Sequence, residues 1–325
     1  MLIERGVDVS AQDNFSQTPL HVASREGQLE VARMLIKCGA NLSARDVDER
    51  TPLHLVSSGN RNHNYEYPEI ARMLIERGVD VSAQDKFSQT PLHLASQAGK
   101  LEVARMLIEC GANVSAQDKD EQTPLHLLSS KNWNLYTFDS GYPEVARILI
   151  ECGVDVSAQD KFSQTPLHLA SRAGQLDVAR MLIKCGASVS AQDKDERTPL
   201  HQLSSGKRRT FTDNSGYPEV ARMLIDRGAD VSAQDNFSQT PLHLASRAGQ
   251  LEVARMLIER GASVSVKDKG SHTPLHLASQ MGQLDVVRVL IELGADVSAE
   301  GGQTEIHPAS RVGQLGVTHE ADASA

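Results

Sequence analysis

At 325 residues the chain exceeds what one hydrophobic core usually serves, so several domains, a barrel or an array of repeats is expected. A net charge of −9 excludes a general nucleic-acid binder, because no basic stripe offsets phosphate repulsion. No apolar run approaches the roughly 20 residues that cross a bilayer, so no membrane partner is expected.

The chain opens on MLIERGVDVS, which has neither the basic nor the long apolar region of a secretory signal and reads as cytoplasmic. Residues 1–13 recur unchanged at 73–85, inside a helical pattern. Residues 1–17 therefore read as a truncated first unit, and the chain as either a shortened gene product or a fragment of something longer.

From Thr18 onward the tetrapeptide TPLH recurs, with its Thr at 18, 51, 90, 123, 165, 198, 240 and 273. A decayed copy, TEIH, begins at Thr304. The unit from Thr90 to Gln122 shows the local physics. Thr90 suits a helix N-cap, and Pro91 suits the first helical position, where a missing N–H costs nothing. Gly99 can take the left-handed geometry that ends a helix. Val103, Ala104, Leu107 and Ile108 then form the stripe of a second helix, with Glu102, Arg105 and Glu109 on its solvated side. Gly111 stops it, and a polar extended turn leads to the next Thr-Pro. Two short helices cannot bury such a stripe alone, so each unit must stack on its neighbours.

The 33-residue period, the TPLH start, the Gly after the first helix and the G-A-x-V-x-A-x-D exit closely resemble the ankyrin repeat. The resemblance covers roughly residues 1–300. It implies an all-α fold with short β-hairpin fingers, a curved stack of helix pairs forming a solenoid over 1–301. It also implies a concave face of fingers and first helices that binds another protein. Two departures stand out. Where the family's hairpin usually has Gly, this chain has Ser16, Glu49, Ser88, Glu121, Ser163, Glu196, Ser238 and Ser271, which predicts turns of altered type or regularity. The family's exit-strand Asn is Ser at 43, 82, 115 and 157, so hydroxylation directed at that Asn is not expected.

The repeats alternate. Those beginning at Thr18, Thr90, Thr165 and Thr240 follow Phe-Ser-Gln, with Phe15, Phe87, Phe162 and Phe237 at the finger tips. Those beginning at Thr51, Thr123 and Thr198 follow Asp-Glu-Arg or Asp-Glu-Gln and carry an insertion between their helices. Each insertion ends in Tyr-Pro-Glu, and Tyr67, Tyr142 and Tyr217 are expected to cover the spot left by a missing Leu. The inserts differ most among the copies and hold eight of the chain's twelve aromatic residues, the finger Phe residues being the other four.

Two surfaces are thus candidates for binding a partner. One is the insert edge, with Trp133, Tyr136, Phe138, Tyr65, His63, Arg208, Arg209 and Phe211. The other is the finger row, with Phe15, Phe87, Phe162 and Phe237. Trp, Tyr and Arg dominate binding hot spots, and variable loops on a rigid scaffold commonly carry recognition. The competing roles are structural: the inserts fold back over the edge, and each Phe packs on the next finger.

Nine of the twelve histidines occupy the fourth position of the TPLH-type motif. Each is expected to hydrogen-bond at its own helix start, because repeats about 10 Å apart cannot converge on one metal ion. Cys38, Cys110, Cys152 and Cys185 share one repeat position, too far apart for disulfides, and read as reduced thiols. The sequons at Asn14, Asn41, Asn113 and Asn236 read as incidental, and Lys207–Arg209 as a solvated loop. No catalytic, metal or cofactor motif is present in the sequence, and no cofactor is expected.

Residues 302–325 read as a degenerate last repeat that frays, since Pro308 falls inside its first helix. The expected function is a non-enzymatic, monomeric protein–protein interaction scaffold. The alternative is a sensor or regulatory segment of a larger protein, such as a receptor-like NTPase.

Overall fold

The computed structural model describes residues 8–59, 66–130, 141–206 and 216–297. Helices come in pairs, one pair per repeat. They are α1 (Pro19–Glu26) and α2 (Leu29–Lys37), α3 (Pro52–Ser58) and α4 (Tyr67–Ile75), α5 (Pro91–Ala98) and α6 (Leu101–Glu109), and α7 (Pro124–Ser129) and α8 (Tyr142–Glu151). There follow α9 (Pro166–Ala173) and α10 (Leu176–Lys184), α11 (Pro199–Ser204) and α12 (Tyr217–Asp226), α13 (Pro241–Ala248) and α14 (Leu251–Glu259), and α15 (Pro274–Gln280) and α16 (Leu284–Glu292).

The helices group into two compact units, Met1–Ala170 with Asp177–Ala187, and Ser171–Leu176 with Ser188–Ala325. In the first, α1, α3, α5 and α7 lie side by side as one layer, and α2, α4, α6 and α8 as the other. In the second, α11, α13 and α15 form one layer and α12, α14 and α16 the other. The repeat stack is therefore as the sequence requires. Burial follows the same periodicity: Leu92, Ala95, Ala104 and Leu107 are fully buried between neighbouring helices, and Val103 nearly so. Burying each such Leu contributes about 1.5–3 kcal/mol.

The TPLH start works as a cap that also joins repeats. Thr90 has extended backbone (φ −92°, ψ 165°) and Pro91 opens α5. The Thr90 N–H donates to His93 Nδ1 at 3.1 Å, and Thr90 Oγ1 stands 2.9 Å from the same nitrogen. His93 Nε2 then reaches the Gln122 carbonyl, in the finger of the following repeat, at 3.1 Å. The same arrangement holds for His21, His54, His126, His201 and His243, with Nε2 at 3.0–3.1 Å from a carbonyl 29–38 residues ahead. The local half of this pattern is what the sequence predicts; the bond to the next repeat is an addition.

The segments expected as β-hairpin fingers are tight turns, and no strand occurs among the described residues. Nor do the Gly-less turns vary. Ser16, Glu49, Ser88, Glu121, Ser163, Glu196, Ser238 and Ser271 all take φ between 55° and 62°, the left-handed geometry Gly would adopt. The reason is the Asp three residues earlier. In the turn from Asp85, Oδ1 accepts the N–H of Phe87 at 2.8 Å and of Gln89 at 2.9 Å. The Ser88 N–H meets the Asp85 carbonyl at 2.9 Å, and the Asp85 N–H meets the Gln89 carbonyl at 3.0 Å. This network over-determines the turn and forces an L-residue into αL, at a cost of roughly 1–2 kcal/mol.

Candidate functional site

The finger turns of the first unit form a continuous row. The Val47 N–H donates to the Phe15 carbonyl, Lys86 to Asp48, Lys119 to Phe87 and Lys161 to Asp120, each at 2.9–3.0 Å. One such bond per repeat links neighbouring tips but is too sparse to make a sheet. The tip residues therefore alternate Phe15, Asp48, Phe87, Asp120, Phe162 along a fixed backbone.

Side chains organise the row further. Lys86 pairs with Asp48 of the preceding finger, and its Nζ lies 5.1 Å from the centre of the Phe87 ring. Lys161 repeats this with Asp120 and Phe162, at 5.0 Å. The Lys86 ammonium, hydrogen-bonded to Asp48, holds that carboxyl below its usual range. The Asp120 carboxylate in turn raises the Lys161 ammonium. Below the tips, Gln89 Nε2 donates to Asp118 Oδ2 at 3.2 Å, so the Asp of this turn is also tied to the preceding finger. In the second unit, Arg197 Nε donates to Asp235 Oδ2 at 3.0 Å in the same way.

The four finger Phe residues are exposed: Phe15 by 63%, Phe87 by 45%, Phe162 by 52% and Phe237 by 54%. Along the first unit the adjoining tips carry Asp, so no Phe there stacks on the ring of an adjacent finger.

The insert candidates Trp133, Tyr136, Phe138, Tyr65, His63, Arg208, Arg209 and Phe211 lie outside the described residues, as do 298–325 and 1–7. The insert anchors lie within them. Tyr67, Tyr142 and Tyr217 are 2%, 6% and 4% exposed, filling the gap as expected from the sequence. Each hydroxyl also donates to a carbonyl near the end of the preceding repeat's first helix: Arg25 at 2.8 Å, Gln97 at 3.2 Å and Arg172 at 3.0 Å. These tyrosines therefore cap a neighbouring helix as well as fill space. A Cβ on Gly206 would stand 2.7 Å from the Tyr217 ring, which keeps the residue before the insert small. At the other end of the same insert, a Cβ on Gly216 would stand 2.6 Å from the Gly174 carbonyl oxygen. Both ends of this insert are thus pinned at one place.

The histidine ladder has its nitrogens committed to the fold. Burial is the main cause holding His21, His54, His93, His126, His201 and His243 below the ordinary imidazole range. The Thr N–H pointing at Nδ1 and the carbonyl facing Nε2 select the neutral tautomer protonated on Nε2. Among the described residues, no group of three His, Cys, Asp or Glu side chains is placed to hold a metal ion. No helix among them is long and apolar enough to cross a membrane. Cys110, Cys152 and Cys185 are exposed free thiols, and Cys38 is half-buried and free.

A family model described as ankyrin repeats in three copies matches residues 1–85, 61–137, 135–235 and 210–300. A search of curated proteins gives no match. With the repeated helix pairs, the capped TPLH starts and matches that together run through residue 300, the chain belongs to the ankyrin repeat family.

Proposed function

We propose that the chain is a non-enzymatic scaffold whose finger row binds a protein partner, with the aromatic inserts as a second contact edge. Ankyrin repeats are generally protein–protein interaction modules. The observation that carries the choice of face is the set of four exposed Phe residues at equivalent finger tips, in a chain that is 4% aromatic. Large exposed apolar groups on a backbone fixed by hydrogen bonds lose little entropy on binding and suit hot-spot contacts.

The test separates the two surfaces. One variant carries Phe15, Phe87, Phe162 and Phe237 all changed to Ala; another has each insert replaced by the short linker of a regular repeat. Pull-downs from extracts of the source organism are expected to lose the partner with the first variant and to retain at least part of it with the second. Full retention by the Phe variant, with complete loss on removing the inserts, would move the site to the insert edge.

A further inference from the structure

The junction between the repeats that begin at Thr240 and Thr273 shows how one repeat seats on the next. Leu277, Val286 and Val289 are buried where α15 and α16 lie along α13 and α14. Gln283 covers Gly249 so closely that a Cβ there would collide with its amide. The Lys269 N–H donates to the Phe237 carbonyl at 2.9 Å and joins the two fingers. Apolar packing, one covering side chain and one main-chain bond thus make the joint.

Both halves of this joint recur, open, at the two ends of the described repeats. On α2, Val31 and Met34 hold the repeat positions of Val286 and Val289. They are 50% and 58% exposed, against 1% and 3% for their counterparts. Val22, in the place of Leu277, and Gln28, in the place of Gln283, are exposed as well. The Asn14 N–H, in the place of that of Lys269, has no acceptor among the described residues. On α15 and α16 the complementary half stands open. Leu284, Ile291 and Val297 are exposed, whereas their counterparts one repeat earlier, Leu251, Ile258 and Val264, are half-buried. A Cβ on Gly282, the counterpart of Gly249, would meet nothing within 4 Å. The Gly270 carbonyl, the counterpart of that of Phe237, accepts no hydrogen bond among the described residues. One repeat position also carries Lys37 at the first end and Glu292 at the last, opposite charges where the internal joint has Glu259 and Glu292. End repeats of a soluble array usually present a polar outer face, and these two faces are apolar and matched. We propose that the chain associates head to tail with a second copy, the α1–α2 face of one seated on the α15–α16 face of the other as a further repeat junction. This departs from the monomer expected from the sequence and is independent of the finger-row reading.

Sedimentation velocity of the full chain is expected to show the average mass rising between about 1 and about 300 µM. Val31→Asp on one face, or Leu284→Asp on the other, is each expected to weaken association at least about tenfold, since each buries a charge in the joint. The two faces differ, so the contact is heterologous. A mixture of the two variants keeps one intact face of each kind and is expected to pair one to one and stop at twice the chain mass. Phe87→Ala is expected to leave association unchanged, which separates a failure here from a failure of the finger-row function. Val31 and Leu284 are exposed in the single chain. Far-UV circular dichroism checks that the variants stay folded, and Met34→Asp is a second probe of the first face. Association indifferent to both face substitutions, or a mixture that does not pair, would overturn the proposal. A full chain that stays monomeric throughout would also overturn it; if a chain ending at Val297 then associates, residues 298–325 are the occupant of the α15–α16 face instead.

Discussion

Acidification from about pH 7.5 to about pH 5.5 is expected to lower the thermal midpoint of the chain steeply, well before carboxylates titrate. The cause is the histidine ladder. His21, His54, His93, His126, His201 and His243 are all fully buried, and desolvation depresses each of them; nearby carboxylates such as Asp85 and Asp118 around His93 oppose this without reversing it. The sign follows from which state binds protons. The unfolded chain takes up protons near the ordinary imidazole pKa of about 6.5, and the folded chain resists them. Stability is therefore full above about pH 6.5 and is lost as pH falls from there toward the depressed folded values.

Over that window each histidine contributes up to about 1.4 kcal/mol per pH unit, so the effect multiplies along the array. A proton on His93 Nδ1 would face the Thr90 N–H, so the imidazolium loses the acceptor that caps its own helix while keeping its Nε2–H bond to the Gln122 carbonyl. Asp48, Asp155, Asp230 and Asp268, held below the usual carboxylate range, add their loss only at more acid pH. Replacing one ladder member, His126→Asn, is expected to cost about 1–3 kcal/mol at neutral pH and to reduce the pH slope. A midpoint that stays flat between about pH 7.5 and about pH 5.5 would show that the ladder does not control acid stability.

Changing the eight left-handed turn residues to Gly is expected to raise stability, against the usual direction of a Gly substitution. Ser88 sits at φ 60° and Glu121 at φ 60°, in turns otherwise saturated with hydrogen bonds. An L-residue there costs roughly 1–2 kcal/mol, while the extra freedom of Gly in the unfolded chain returns about 0.5–1 kcal/mol. The net gain is about 0.5–1 kcal/mol per site, and several kcal/mol for all eight if distant turns add. Ser88→Val should shift stability the opposite way, because a β-branched side chain is disfavoured at positive φ. Chemical denaturation of Ser88→Gly, the eightfold Gly variant and Ser88→Val gives the order. A destabilised Gly set would mean that the Ser and Glu side chains contribute something the backbone geometry does not reveal.

What the sequence made legible was local. Thr90, Pro91 and Gly99 announce a helix's start and stop through their own backbone preferences, and Leu107 and its stripe announce which side is buried. Tyr142 could be assigned to packing because it stands where a regular repeat has Leu. Its hydroxyl bond to Gln97, 45 residues earlier, could not, since no local pattern encodes a carbonyl on another repeat. The same limit hid the bond from His93 to Gln122. Ser88 and its counterparts misled for a different reason: residue identity argued against a left-handed turn, and the two bonds to Asp85 Oδ1 that enforce it come from a residue whose role is invisible without geometry. The finger row was visible as a spacing of Phe residues, but its exposure and its Lys–Asp clamps came only with the structure.

The finger row as the binding surface is tested most directly by placing a photo-activated benzoyl-phenylalanine at Phe87, and in a separate chain at Arg105, then irradiating each in an extract of the source organism. A discrete covalent adduct from position 87 and none from 105 is the predicted result. An adduct from 105 with none from 87 would contradict it.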